Sequence, residues 1–148
     1  AAQDSGAARV DAAALVRHLA GARPGDYVAL MAYLHRTDAV DQELTRLRAA
    51  AGRRTGCATT LGWGPRFLHS TGQLHKGGGD RGVFVQLTAD DEEPLPIPSE
   101  RWSFSVLRQA QALGDLQALG DRGRRVLRIH LGADPLRALG TLGTVLSG

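Results

Sequence analysis

Apolar runs alternate with amphipathic stretches along this chain, which predicts strands alternating with helices. Residues 27–34 (YVALMAYL) form a continuous apolar run with β-prone ends, typical of a strand buried on both faces. Before this run, apolar residues spaced along one helical face predict a short helix over 11–22, which Gly21 and Pro24 end. The first strand is therefore expected to follow a helix directly.

A second amphipathic stretch predicts a helix over 39–51. Thr37 or Asp38 can cap its first turn, and Gly52 and Gly56 are expected to end it. The face expected to point inward carries Val40, Leu44 and Leu47.

Three further strands and a surface loop follow. Residues 57–61 (CATTL) predict the second strand, 83–88 (VFVQLT) the third and 125–131 (RVLRIHL) the fourth. Residues 90–99 (DDEEPLPIPS) are acidic and rich in proline, which predicts an extended surface loop.

Two helices are predicted in the carboxyl-terminal third. Ser103 can cap a helix over 104–119, in which Gly114 and Gly120 are expected to weaken or break the helix. The residues expected to face inward are Val106, Leu107, Ala110 and Leu113. Asp134-Pro135 opens the last helix with proline in its first turn, and that helix carries Leu136, Leu139, Leu142, Val145 and Leu146.

This order of elements predicts a single small α/β domain. We expect about four strands in a mainly parallel or mixed sheet, covered by helices on its faces. A length of 148 residues suits one domain, and 43% hydrophobic with 22% charged residues is an ordinary globular balance. We divide the chain into an N-terminal tail and helix (1–23) and an α/β domain (24–148).

Composition and charge exclude several classes of protein. The net charge of +3 comes without a basic stripe interleaved with aromatic residues, so no nucleic-acid partner is expected. No apolar run approaches the roughly 20 residues of a membrane helix, and no signal peptide is visible, so no membrane partner is expected. The single cysteine, Cys57, excludes an internal disulfide framework. These features favour a cytoplasmic location.

One segment concentrates the candidate chemistry, the Gly-rich segment (residues 62–79, GWGPRFLHSTGQLHKGGG). Six of its 18 residues are glycine, so its backbone can approach a ligand closely. It follows a predicted strand, and open α/β sheets bind ligands at the carboxyl ends of their strands. The candidate substrate- or phosphate-binding residues are Arg66, His69, Ser70, Thr71, Gln73, His75 and Lys76. Glycine amides, hydroxyls and cations together suit an anion such as a sugar phosphate.

Several of these residues also have a structural interpretation. Arg66 can pair with an acidic side chain, and Ser70 and Thr71 can cap a short helix. Lys76 is the only lysine among 18 basic residues, which indicates either a position that needs an ammonium group or chance. His69 and His75 could move protons, but they lie six residues apart and lack further clear ligands, so no metal is expected. The segment has neither P-loop nor nucleophile-elbow spacing, and no cofactor is indicated.

Residues elsewhere also have both a functional and a structural interpretation. His130 ends the fourth predicted strand and could face the edge that carries the Gly-rich segment, although a hydrogen-bonded structural histidine is favoured. Residues 90–93 (DDEE) predict a solvated turn, and Trp63 and Trp102 are expected to fill the core rather than stack on a ligand.

The run GWGPRFLHSTGQLHKGG resembles the carboxyl-terminal region of a subset of bacterial glucose-6-phosphate isomerases. It is also similar to the tail of fused transaldolase/glucose-6-phosphate isomerase proteins. The likeness extends over about residues 24–131, through the shorter runs PGDYVAL, VFVQLTAD, LPIP, QAQALGD and GRRVLR. Gly79-Asp80 replaces the Pro-Asn with which family proteins often continue the motif.

The resemblance implies a part in interconverting glucose 6-phosphate and fructose 6-phosphate. The phosphate-binding and base-bearing signatures of the isomerase core are not in this sequence. The family segment F-D-Q-x-x-V-E-x-x-K, which supplies a ring-opening lysine, is also absent, and Lys76 does not match it. No catalytic residue is therefore carried over, and we expect the chain alone to be inactive.

Three hypotheses remain open. The chain can be an isomerase domain that works with a core domain, a free-standing sugar-phosphate-binding module, or an interaction domain that binds the core or another copy of itself.

Overall fold

The computed structural model describes residues 12–64, 81–90 and 104–148, which contain a four-stranded sheet and four helices. The first helix, α1, is described over residues 12–20. The other elements are β1 (Tyr27–Tyr33), α2 (Asp38–Thr55), β2 (Ala58–Trp63), β3 (Gly82–Thr88), α3 (Phe104–Asp121), β4 (Arg125–His130) and α4 (Pro135–Ser147). Residues 1–11 and 91–103 lie outside the described ranges, and so does most of the predicted loop over 90–99.

The sheet has the order β2-β1-β3-β4, and all three strand pairs are parallel. The α/β fold predicted from the sequence is confirmed. Of the two predicted kinds of sheet, mainly parallel or mixed, the structure shows the parallel one. Val28 in β1 pairs with Thr59 on one side and with Val83 on the other, so β1 is an inner strand. Its apolar residues are buried on both faces, as its continuous apolar run predicted.

The first face of the sheet carries the larger core. Leu30 of β1 and Val85 of β3 point to this face, where α1, α2 and α4 cover them. Each helix contributes apolar residues at helical spacing, such as Leu15 and Leu19 from α1. The second face holds a smaller cluster under α3, which includes Phe84 of β3. The two clusters together make a three-layer α/β arrangement.

Capping signals set the limits of α2, although one predicted stop is wrong. The backbone N–H of Val40 donates to Thr37 Oγ1 over 3.2 Å, so Thr37 is the cap. The helix does not end at Gly52 but continues to Gly56, whose φ of 70° is the left-handed conformation that glycine favours. A Cβ at Gly52 would lie 3.3 Å from Thr59 Cγ2, so this glycine allows close packing of α2 on β2.

The inward face predicted for α3 is wrong. Val106 and Leu113 are 52% and 55% exposed, and Leu107 and Ala110 are exposed as well. Among residues 106–121 of this helix, the buried ones are Ala112, Asp115 and Leu119. The helix also runs through Gly114 and Gly120 without a break. On this inward face Asp115 accepts a buried hydrogen bond from Tyr33 of β1.

The last helix closes the first face. The Asp134 carboxylate accepts a hydrogen bond from the backbone N–H of Arg137, and Pro135 occupies the first turn, as the sequence predicts. Leu139, Leu142 and Leu146 are buried, and α4 packs mainly on α2.

Candidate functional site

The described residues include the first three residues of the Gly-rich segment, Gly62 to Gly64, but not the rest of it. Arg66, His69, Ser70, Thr71, Gln73, His75 and Lys76 all lie outside the described residues, as does Trp102. The segment begins within β2, since Gly62 and Trp63 are its last strand residues, and Arg81 resumes the chain immediately before β3. The predicted position of the segment after a strand therefore corresponds to the carboxyl end of β2.

The sheet order puts a switch point between β1 and β3. From β1 the chain passes through α2 to β2 on one side, and from β3 it proceeds to β4 on the other side. Open parallel sheets bind ligands outside the carboxyl ends of the strands at such a point. A ligand site is therefore expected at the carboxyl edge of the sheet.

Three polar side chains form a row across this edge on the second face. Tyr33 of β1 pairs in register with Thr88 of β3, and Thr88 pairs with His130 of β4. Residues paired in register across neighbouring strands point to the same face of a sheet. We call Tyr33, Thr88 and His130 the terminal row.

At the β1 end of the terminal row, a buried polar cluster joins the sheet to α3. The Tyr33 hydroxyl donates to the Asp115 carboxylate, and the Gln86 side chain also hydrogen-bonds to Tyr33. Gln86 Nε2 donates to the carbonyl oxygen of Ala112 over 2.6 Å. Burial raises the pKa of Tyr33, and the hydrogen bond to Asp115 raises this pKa further. Within the described ranges, Gln86 Oε1 is buried without a hydrogen-bond partner.

At the β4 end, His130 bridges β3 and the residues that follow it. His130 Nδ1 lies 2.9 Å from Thr88 Oγ1, and Nε2 lies 2.8 Å from Asp90 Oδ1. A neutral imidazole has one N–H, and a carboxylate can only accept, so Nε2 donates to Asp90 and Nδ1 accepts from Thr88. The side chains of His130 and Asp90 are 47% and 60% exposed. His130 thus lies at the carboxyl edge and is also hydrogen-bonded at both nitrogens, as the structural interpretation expects.

At the β2 end, the strand is packed closely against β1. Gly64 donates its N–H to the carbonyl oxygen of Ala32 over 2.8 Å, and a Cβ at Gly64 would overlap the Tyr33 ring. Trp63 packs against the core of the first face, as predicted, and the guanidinium carbon of Arg36 lies 5.0 Å from the centroid of its ring. This packing fixes the point at which the Gly-rich segment leaves the sheet.

Most of these residues were not among the candidates predicted from the sequence. Gln86 and Thr88 stand at alternate positions of the otherwise apolar run VFVQLT, and this period-2 placement of polar groups was an available signal for a polar patch on one face. Asp115 carried no local signal, because its partner Tyr33 is 82 residues away. Asp90 was predicted only as part of a solvated turn.

Two classes of site gain no support from the described part of the chain. No cluster of three or more histidine, cysteine or acidic residues is placed there to hold a metal ion. None of the helices described combines the length and apolar character needed to cross a membrane.

Comparison with known proteins bears on the fold alone. No protein-family model matches the chain, and no curated protein matches it either. A solved structure, the crystal structure of a hypothetical protein from Thermus thermophilus, is similar, with a TM-score of 0.66 and 21% sequence identity. The likeness covers 90% of this chain and 35% of that chain, so this chain spans about a third of its structural neighbour. It supports the parallel α/β class of fold.

Proposed function

We propose that this chain is the carboxyl-terminal α/β domain of a cytoplasmic glucose-6-phosphate isomerase. In this proposal it works with an isomerase core domain, and its Gly-rich segment completes the sugar-phosphate site. The resemblance over residues 24–131 supports the family, and the parallel α/β fold is compatible with it.

The observation that carries the proposal is the start of the Gly-rich segment at the carboxyl end of β2. Gly64 donates to the carbonyl oxygen of Ala32 and lies close to the Tyr33 ring, near the switch point between β1 and β3 where parallel sheets bind ligands. The anion-binding residue types of the segment follow directly in the sequence, beginning with Arg66. A sugar phosphate carries both an anionic phosphate and hydroxyl groups, which match the cationic and polar side chains expected at this edge.

The structure describes two carboxylates at this edge, Asp115 and Asp90, and both are already hydrogen-bonded. Aldose–ketose isomerisation needs a group that takes a proton from the carbon next to a carbonyl. Residues 62–79 contain no carboxylate, Asp115 is buried against Tyr33, and Asp90 is paired with His130. We therefore expect the base to come from the core domain and the isolated chain to be inactive.

A domain exchange tests the proposal. The tail of a fused transaldolase/glucose-6-phosphate isomerase would be replaced by residues 24–148 of this chain, and conversion of fructose 6-phosphate to glucose 6-phosphate would be measured. We expect activity in the chimera, and none in the tail-deleted enzyme or in this chain alone. A folded but inactive chimera would refute the proposal, and activity of the isolated chain would refute the need for a core.

Matched variants test the role of the Gly-rich segment within the chimera. Arg66→Ala and Lys76→Ala should each raise the KM for fructose 6-phosphate about tenfold, since each removes a cation expected to bind phosphate. Arg46→Ala is the control, because Arg46 is exposed on α2 and pairs with Glu43. Equal kinetics for the three variants would contradict phosphate binding by the segment. Sugar-phosphate binding by the isolated chain without chimera activity would favour a free-standing binding module instead.

An interaction or oligomerisation domain is a second candidate, favoured by the outer surface of α3. Val106, Leu107 and Leu113 are large apolar side chains that this helix exposes to solvent. Sedimentation equilibrium of the chain and of Leu113→Ser tests this candidate. Self-association that the substitution abolishes would favour it, and a monomer at all concentrations would count against self-association.

A further inference from the structure

We infer that Asp90 and His130 form a subsite that binds the hydroxyl groups of a polyhydroxylated ligand. The inference rests on the proposed sugar-phosphate function and adds residues that the sequence had not assigned to ligand binding. It concerns the end of the terminal row at β3 and β4, next to the switch point.

Exposure distinguishes this pair from the other polar groups at the edge. Tyr33 and Asp115 are buried, and they bond to each other. The side chains of His130 and Asp90 are 47% and 60% exposed although they are hydrogen-bonded to each other. At this edge they can therefore meet a ligand without unpacking α3.

The chemistry of the pair matches a sugar hydroxyl. Asp90 uses Oδ1 to accept from His130, which leaves further acceptor positions on its carboxylate. The imidazole N–H is taken up by Asp90 Oδ1 and holds the carboxylate in place, so the pair offers a ligand the remaining carboxylate acceptor positions. Each sugar hydroxyl both donates and accepts, and an acidic residue at this edge of α/β folds often binds a ribose hydroxyl. A bare anion gains nothing from the carboxylate.

The Thr88 side chain and neighbouring backbone hydrogen bonds hold the pair in place. Thr88 Oγ1 is a buried positioning group that orients the His130 ring through Nδ1. The backbone N–H of Asp90 donates to the carbonyl oxygen of Gly132 over 2.9 Å, and that of Leu131 donates to the carbonyl oxygen of Thr88 over 2.6 Å. A pair that is ordered before binding loses less entropy when the ligand binds.

Calorimetric titrations of the whole chain with fructose 6-phosphate and with inorganic phosphate test the inference. Asp90→Asn and His130→Gln should each weaken fructose 6-phosphate binding about three- to tenfold. Asp90→Asn also removes a negative charge, so the affinity for inorganic phosphate should stay constant or rise. Asp121→Asn, an exposed change at the last residue of α3, is the matched control and should alter neither affinity.

The subsite is identified by Asp90→Asn, which should weaken binding of fructose 6-phosphate without weakening binding of inorganic phosphate. Thr88→Val should weaken fructose 6-phosphate binding like His130→Gln, and Thr88→Ser should restore it, because only the serine keeps the hydroxyl that orients the ring. Far-ultraviolet circular dichroism checks that each variant is folded, and Asp90→Ser replaces Asp90→Asn if the latter is not. If the wild type binds fructose 6-phosphate, and Asp90→Asn and His130→Gln bind it with the same affinity as Asp121→Asn, this inference alone is overturned. Equal weakening of both ligands also overturns it, and so does the absence of binding by the wild-type chain, while activity of the chimera separately decides the isomerase proposal.

Discussion

The contact between Tyr33 and Asp115 should contribute a measurable part of the stability of this domain. Both side chains are almost fully buried, at 2% and 4% exposure, and the hydroxyl donates to the carboxylate. A hydrogen bond to a charged group contributes about 1.5–3 kcal/mol, and a buried carboxylate that loses its donor is costly. Tyr33→Phe keeps the ring and removes only the hydroxyl, so we expect the free energy of unfolding to fall by about 2 kcal/mol.

A double-mutant cycle isolates this contact. Asp115→Ala should also cost about 2 kcal/mol, and the double variant less than the sum, with a coupling energy of about 1–2 kcal/mol. The free energies come from urea unfolding followed by circular dichroism, with an unchanged m-value as the sign that the denatured state is the same. Asp121→Ala, on the exposed side of the same helix, should stay within about 0.5 kcal/mol of wild type.

The result that would refute this reasoning is additivity. If the two substitutions each destabilise the domain but their effects simply add, the hydroxyl and the carboxylate do not stabilise each other. The buried orientation of Asp115 would then need another cause, and the hydrogen bond would not explain which face of α3 turns inward.

Two further predictions concern packing and pH. Gly64→Ala should lower the free energy of unfolding by about 1–3 kcal/mol, because the new Cβ would overlap the Tyr33 ring. Gly140→Ala, in a helix interior with open space around it, should raise it by up to about 1 kcal/mol, and urea unfolding in which both variants shift alike would contradict this. Burial and the nearby Arg125 lower the pKa of His18, although its hydrogen bond to the carbonyl oxygen of Phe84 opposes this shift. Because the folded pKa lies below the unfolded one, the stability that neutral His18 contributes is present above about pH 6.5 and is lost as the pH falls through the folded pKa. Between pH 8 and pH 5 the free energy of unfolding should therefore fall less in His18→Gln than in the wild type. An identical pH dependence of the two proteins would contradict the lowered pKa of His18.

Local signals predicted the elements well because each signal acts within a few residues. Thr37 caps α2 by bonding to Val40, three residues away, and Asp134 caps α4 by bonding to Arg137 in the same way. The continuous apolar run of β1 predicted an inner strand, because such a run is typical of a strand that is buried on both faces.

Features that depend on distant partners were not predictable from the sequence. The apolar residues Val106 and Leu113 indicated one face of α3, yet the helix turns Asp115 inward because Tyr33 is there to donate to it. Gly52 looked like a helix stop, but it lies inside α2 where Thr59 approaches closely. The terminal row could not be derived either, since it requires the register of β1, β3 and β4.

The Gly-rich segment remains a prediction at the level of single residues. Its composition and its position after a strand indicated an anion-binding loop, and the carboxyl end of β2 is now defined as its starting point. The residues added around that edge come from the fold. Asp90 and His130 lie 40 positions apart in the sequence, and only parallel pairing of β3 and β4 brings them together.

The packing of α4 on α2 has a consequence for synthesis of the chain on the ribosome. The apolar side of α2, including Leu44 and Leu47, shares a core with Leu142 and Leu146 of α4. During translation, α2 leaves the exit tunnel some 80 residues before α4 does, so this side stays open to water while the rest of the domain is made. Nascent chains of this domain should therefore bind chaperones that recognise exposed apolar helices, and release from them should coincide with the emergence of residues 135–147.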